Sequence, residues 1–183
     1  MNLFISRTLH TDVLTESARN YYLGQVYGLR AYYMYQLYRS WGDVVFTEEP
    51  SLGFEVGKLA KAATPAAEIF EQVKKDIESS LSYFGSDYTI KEKKSLWSKA
   101  ATLMLKADVY LWSAHRDGGE GDARTAKNAL VDIQNNISRS NLDLMDTYQG
   151  VFAYDNKGNK EIIFTIHNEL FEYNLWNGNN DLF

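Results

Sequence analysis

The sequence predicts a mostly α-helical protein, and three observations carry that prediction. Apolar residues recur at helical spacing over four long stretches of the chain. Residues that favour the first turn of a helix precede these stretches, and Gly42 and Gly85 follow two of them. Only one stretch, at about 161–167, has the β-branched composition of a strand. We therefore expect antiparallel helix pairs joined by long loops, with one short strand.

The first helix is predicted at about 12–40, since Thr11, Asp12 and Thr15 all offer N-cap oxygens. Its aromatic residues encircle the helix instead of forming one stripe. A helix that is apolar nearly all round is covered on several sides. Its tyrosines are therefore predicted to pack, and Trp41 is predicted to lie as a structural plug under the turn that Gly42 begins.

The second helix is predicted at 65–84, with Thr64 as N-cap and Pro65 at the first helical position. The third is predicted at 95–115, with Ser95 as a plausible N-cap. Two apolar faces are found along this third stretch, so it should also contact neighbours on two sides.

The residues HRDGGEGD, at 115–122, are predicted to form a turn, after which Asp122 caps a fourth helix at 122–138. The stretch EIIFTIHNE then predicts the strand near 161–167. Because a lone strand is not stable, it should pair either with residues near Val44–Thr47 or with residues outside this chain. We favour the second alternative, in which the chain is part of a larger protein.

Composition narrows the possible functions. The 183 residues carry a net charge of −5, so no excess of Lys and Arg is present to neutralise nucleic-acid phosphates. The chain has no cysteine, which excludes disulfides and thiolate metal sites. Aromatic residues make up 14% of the chain, including 13 Tyr. Tyrosine has a flat apolar face and a polar tip, so this excess suits tight helix packing or a sugar-binding surface.

The sequence contains no constellation typical of catalysis. Its three histidines, His10, His115 and His167, are far apart and lack the spacing of a metal site. No nucleophile motif or phosphate-binding loop is present, and the paired carboxylates fall on polar stretches. We therefore expect a protein that is not an enzyme and that binds neither a metal nor a cofactor.

A short motif suggests how the helices are arranged. The residues Leu23-Gly24-x-x-Tyr27 match the first half of the tetratricopeptide signature. No clean repeat of 34 residues follows, so the match indicates a degenerate repeat. The expected fold is thus a tetratricopeptide-like, right-handed superhelical core built from antiparallel helix pairs.

Four stretches, in order, are similar to segments of the SusD/RagB family. They are GLRAYYMYQLYRSWGDVVFTEEP (28–50), TPAAEIFEQVKKDIESSL (64–81), SKAATLMLKADVYLWSA (98–114) and LDLMDTYQGVFAYDNKGNKEIIFTI (142–166). The chain departs from the family pattern at Val45, where proline is common, and at Asp108, where arginine is common. The four stretches cover most of the chain, so the resemblance describes one partial domain over 1–183.

The resemblance implies a non-catalytic protein that binds oligosaccharide or polysaccharide at the surface of the outer membrane. It also implies delivery of that glycan to a SusC-like, TonB-dependent transporter barrel. Contact with the membrane would be made only through a lipid anchor outside this chain. The alternative is a tetratricopeptide-like scaffold for protein partners, without a sugar ligand.

Candidate ligand-binding residues are expected in the loop near the end of the chain. Trp176 follows Tyr173 and is surrounded by amides, including Asn177 and Asn179. A Trp in such a loop has no helix face to bury against. Its ring can stack on the apolar face of a sugar while the amides bind hydroxyl groups.

Overall fold

A computed structural model describes residues 1–50, 53, 60–91 and 94–166. These residues are mostly helical, so the predicted fold class is confirmed. None of the described helices is long and apolar enough to cross a membrane. The helices are α1 (Asn2–Leu9), α2 (Glu16–Trp41), α3 (Ala66–Phe84), α4 (Lys99–Ser113), α5 (Gly119–Asn135), α6 (Ile137–Ser140) and α7 (Tyr148–Val151).

Capping side chains mark the N-termini of α2 and α4. Helix α2 begins at Glu16 because Thr15 Oγ1 accepts a 3.3 Å hydrogen bond from the backbone N–H of Ala18. Helix α4 begins at Lys99, four residues later than predicted, since the N-cap is Ser98 and not Ser95. Helix α1 was not predicted.

The turn predicted at 115–122 is much shorter than expected, because the residues on both sides of Gly119 are helical. The chain continues from α4 through one π-helical segment, Ala114–Gly118, directly into α5. Gly119, with φ at 55°, makes the change of direction in a conformation that favours glycine. Helix α5 therefore starts at Gly119, before the expected cap at Asp122.

Helices α2 and α3 form an antiparallel pair. Contacts between them run in opposite sequence directions: Ser80 Oγ donates to the carbonyl oxygen of Gly24, and the Tyr38 and Phe70 rings lie 5.0 Å apart. At the C-terminal end of α2, the residues Trp41-Gly42-Asp43 begin the connection to α3. Gly42 (φ 73°) turns the chain, and Asp43 Oδ1 accepts a 2.8 Å hydrogen bond from the first backbone N–H of α3, that of Ala66.

Helix α4 lies against both members of this pair. It is antiparallel to α3, as Thr102 contacts Ser80 and Lys106 contacts Glu78. One core cluster joins α2, α3 and α4, and a second joins α4 to α5. These contacts bury α4 on two faces, as its two apolar stripes predict.

A chain of hydrogen bonds crosses the core where α2, α3 and α4 meet. Trp97 Nε1 donates to Thr102 Oγ1 at 2.8 Å, and Thr102 shares a 2.8 Å hydrogen bond with Ser80. Ser80 then donates to the Gly24 carbonyl oxygen at 2.6 Å. Since these groups are buried, each needs a partner, and the shared bonds fix the indole of Trp97 against α2.

The predicted strand near 161–167 is wrong over the described residues 161–166. Over these described residues the chain has a turn at Glu161 and a bend at Ile163 and pairs with no strand; Thr165 N–H donates to Lys94 O at 3.0 Å. Val44 instead forms an isolated antiparallel bridge with Thr64. Two apolar residues of the 161–166 segment, Ile163 and Phe164, pack against the helical core instead.

A groove between two helices and the returning chain

The predicted ligand-binding residues Trp176, Tyr173, Asn177 and Asn179 lie outside the described residues. Among the described residues, the candidate site is formed by other side chains, which sequence patterns did not single out as a group.

Trp41 does not plug the turn, contrary to the prediction. Its side chain is 71% exposed at the end of α2. The turn is held without it, by the conformation of Gly42, the Asp43 cap on α3 and the bridge from Val44 to Thr64. The tyrosines of α2 follow the prediction more closely: Tyr35 is fully buried, and Tyr27 stacks on Tyr83 with ring centres 5.6 Å apart.

A polar hollow of about 400 Å³ lies between α1, α2 and α3. Its floor is an ion pair in which Arg30 Nε and Nη2 each donate to Asp76 at 2.7 Å, with side chains only 7% and 2% exposed. Arg30 Nη1 donates to Asn2, and Gln72 donates to Asp76. Because Arg30 and Asp76 bind each other, we assign the floor of the hollow a role in holding the helices together and not in binding a ligand.

An apolar groove of about 350 Å³ is the stronger candidate. It lies between α2, α4 and the returning segment near 161–164. Its walls carry three aromatic rings: Trp97 lies 5.6 Å from Tyr32 and 5.0 Å from Phe164, measured between ring centres. Tyr32 and Phe164 are half-buried, so part of each ring is accessible. Met104 adds an exposed apolar surface.

Polar side chains line the rim of this groove. Gln36 is contributed by α2, Asp108 by α4 and Glu161 by the returning segment. Asp108 lies 3.5 Å from Arg39 Nη1 in a solvent-exposed pair, and Glu161 accepts a 2.8 Å hydrogen bond from the Met145 backbone N–H. An apolar groove with a few convergent polar groups is the usual form of a small-molecule site. Here it can bind a ligand that has an apolar face and hydroxyl groups.

Two buried tyrosines hold their protons unusually tightly. Burial raises the pKa of Tyr35 to about 12, and the nearby Asp108 carboxylate adds to the increase. Burial also raises the pKa of Tyr88 to about 12, aided by the 2.6 Å hydrogen bond from its hydroxyl to Asp132. Both pKa values exceed the ordinary tyrosine value near 10, so the folded state favours the protonated hydroxyl of each tyrosine.

The free energy of unfolding should therefore fall as the pH becomes alkaline. The contribution of these tyrosines is complete below pH 10 and is lost as pH rises towards their folded pKa of about 12. We expect Tyr88→Phe to reduce, without abolishing, the fall in unfolding free energy across this window, because Tyr35 remains. Urea unfolding at a series of alkaline pH values measures the slope. An unchanged slope in the variant would contradict the assignment.

The groove could not be found by scanning for a motif. Its residues are contributed by three segments, near 32–36, 97–108 and 161–164. The sequence pattern of each segment alone indicates only a core or an amphipathic surface. The one available signal was the E-I-I-F stretch, whose apolar residues contact the helices although they form no strand.

Comparison with known proteins identifies this class of helical protein. No protein-family model matches the chain. The SusD-like protein P38 of Formosa agariphila is 34% identical over 113 residues, which make up 60% of this chain and 20% of P38. The solved structure of NanU from B. fragilis is 47% identical, with a TM-score of 0.85, and the match covers 97% of this chain and 34% of NanU.

A SusD superfamily protein from Bacteroides vulgatus is similar to the same degree, with 44% identity and a TM-score of 0.83; the match covers 98% of this chain and 35% of that protein. The fold is thus that of SusD-like helical proteins. These matches support a fragment of a SusD/RagB-type protein. The chain spans about a third or less of the length of these three relatives.

A more distant solved structure is surface glycan-binding protein A from Bacteroides thetaiotaomicron, in complex with laminarihexaose. It is 22% identical, with a TM-score of 0.67, and it matches 90% of this chain and 32% of its own. At this identity the likeness concerns the fold.

Proposed function

We propose that this chain is part of a surface protein that binds oligosaccharide or polysaccharide without altering it chemically. The observation that supports this most is the close match to SusD-like proteins over nearly the whole chain. A protein with the same fold was solved with laminarihexaose bound. Non-catalytic binding also agrees with a sequence that has no recognisable catalytic motif.

The groove supplies the chemistry that a sugar requires. The partly accessible rings of Tyr32 and Phe164 can contact the apolar face of a pyranose, while Gln36 and Asp108 can bind its hydroxyl groups. We also retain Trp176, Tyr173, Asn177 and Asn179 as proposed ligand contacts, since they follow Phe164 along the same returning chain.

The proposal extends to partners and location by analogy with the family. The intact protein would be held on the cell surface by a lipid anchor outside this chain, and it would pass its glycan to a SusC-like, TonB-dependent transporter barrel. Copurification of the protein with such a barrel from detergent-solubilised outer membranes is the direct check on this part.

A matched pair of variants tests the groove. Met104→Ala removes an apolar side chain from the groove wall, whereas Leu111→Ala removes one of similar exposure, 52% against 42%, from the same helix outside the groove. We expect Met104→Ala and Gln36→Ala each to weaken binding about 5- to 30-fold, equivalent to about 1–2 kcal/mol, and Leu111→Ala to leave it unchanged. Affinity electrophoresis through gels that contain individual glycans measures the effect.

The outcome also separates the two sets of proposed contacts. If the groove variants bind as well as the unaltered protein while Trp176→Ala does not, the contacts lie in the loop near the end of the chain and the groove assignment is wrong. If no glycan in a broad panel retards the intact protein, the tetratricopeptide-like protein scaffold becomes the better account.

A further inference from the structure

A second exposed surface is formed by the short helix α7 and the loop residues on either side of it. Its large side chains lie almost entirely in solvent: Leu144 is 72% exposed, Tyr148 80%, Phe152 68% and Tyr154 85%. We call these four residues the loop patch. The helices of the described chain do not cover them, although each is large enough to favour burial strongly.

The backbone beneath the loop patch is held by specific hydrogen bonds. Asn159 is buried, and its Nδ2 donates to Val151 O at 2.9 Å. Asn156 Nδ2 donates to Gly150 O at 3.1 Å, and Asp143 N–H donates to Lys160 O at 3.0 Å. The exposed side chains are therefore presented by an ordered loop, which is the form expected of a contact surface.

The ring geometry favours a protein contact over a sugar. The Tyr148 and Phe152 rings lie 5.0 Å apart at 56° to each other, so they form a ridge and not a flat platform. Lys157 Nζ lies 4.2 Å from the centre of the Tyr154 ring and covers one of its faces. Leu144 and Phe152 have no polar atoms for hydroxyl groups, and the amides of Asn156 and Asn159 already donate to backbone carbonyls.

We propose that the loop patch is an internal docking surface, covered in the intact protein by the part of the SusD-like polypeptide that lies outside these 183 residues. The relatives supply the occupant: this chain matches only 34% of NanU and 20% of P38, so most of each relative has no counterpart here. An ordered apolar ridge on a partial family member is the surface that the unmatched part of the protein would cover.

Oxidative footprinting of the intact gene product tests the proposal. Hydroxyl radicals modify exposed aromatic side chains, and mass spectrometry gives a rate for each. We expect Tyr148, Phe152 and Tyr154 to react at least about tenfold more slowly than in the denatured protein, at rates near that of Tyr35. Tyr35 is the internal reference, because it is fully buried within the described chain.

Several results would overturn the proposal. Rates close to those of the denatured protein would mean that the loop patch is uncovered. A gene product that ends at residue 183 would have no further polypeptide to cover it. Protection that appears only when glycan is added would assign the loop patch to the ligand. Protection that depends on protein concentration would assign it to a second copy of the chain.

A pair of variants gives an independent measurement in the same intact protein. Phe152→Ser should lower the thermal midpoint by several degrees, since it removes an apolar side chain from a covered interface. Val13→Ser changes a side chain that is 91% exposed beside α1 and serves as the control, with little change expected. Equal midpoints for Phe152→Ser and the unaltered protein would contradict the docking role.

Discussion

Asp76→Ala is expected to lower the free energy of unfolding by about 3–5 kcal/mol, the range measured when one partner of a buried ion pair is removed. The change leaves the guanidinium of Arg30 buried between α2 and α3, with only Asn2 still accepting from it. It also removes the acceptor of Gln72. Equilibrium urea unfolding, monitored by circular dichroism, measures the loss.

The control for this variant is an exposed pair on the same molecule. Arg124 lies 3.1 Å from Glu120 on α5, with both side chains largely in solvent, so Glu120→Ala should change stability by less than about 1 kcal/mol. Replacing both buried partners, Arg30→Met with Asp76→Leu, should restore much of the stability that Asp76→Ala loses. Equal small losses for Asp76→Ala and Glu120→Ala would show that the buried pair does not stabilise the fold.

Gly28→Ala is expected to destabilise the protein by about 3 kcal/mol, at the upper end of the range for overpacked cores. A Cβ at this position would lie 2.0 Å from Trp97 Nε1 and 2.7 Å from Trp97 Cδ1. The indole would have to rotate, which breaks its hydrogen bond to Thr102 and disturbs the bond from Thr102 to Ser80. Thermal unfolding detects the loss.

Gly121→Ala provides the matched comparison. Gly121 also lies inside a helix, α5, but an added Cβ would meet nothing within 4 Å. Alanine is the better helix former, so this change should stabilise the protein by about 0.5–1 kcal/mol. If the two substitutions shifted the midpoint in the same direction, the close approach of Trp97 to α2 would be wrong.

The ion pair joins two of the stretches that resemble the SusD/RagB family. Arg30 belongs to the first similar segment, at 28–50, and Asp76 to the second, at 64–81. In the structure these two segments are α2 and α3, and the pair joins them at 2.7 Å. Similarity in these stretches is therefore tied to how the helices pack, and the resemblance identifies the scaffold more surely than the ligand.

Helical periodicity located the long helices because buried apolar residues recur along them at helical spacing. The stripe of α3 includes Ile69, Val73 and Ile77, and all three are fully buried. Periodicity failed where context decided the conformation. The β-branched run at 161–166 has no partner strand among the described residues, so it packs on the helices as an irregular segment. Likewise, the helical path continues past His115 through a π-helical segment and ends only at Gly119, where φ is 55°.

The candidate groove could not be predicted, because sequence neighbours do not form it. Trp97 and Phe164 are far apart in the sequence, yet their rings lie 5.0 Å apart. Local chemistry was more informative for turns. Gly42 adopts a positive φ that favours glycine, and Asp43 caps α3, so the structure accounts for both residues. It shows no comparable role for the exposed Trp41 beside them.

Isothermal titration calorimetry of the intact protein, against a panel of neutral and acidic oligosaccharides, tests the proposed glycan binding most directly. We predict saturable heat with at least one glycan, weakened by Met104→Ala and unchanged by Leu111→Ala. Absence of heat with every glycan, from a protein that circular dichroism shows to be folded, would contradict a glycan-binding function.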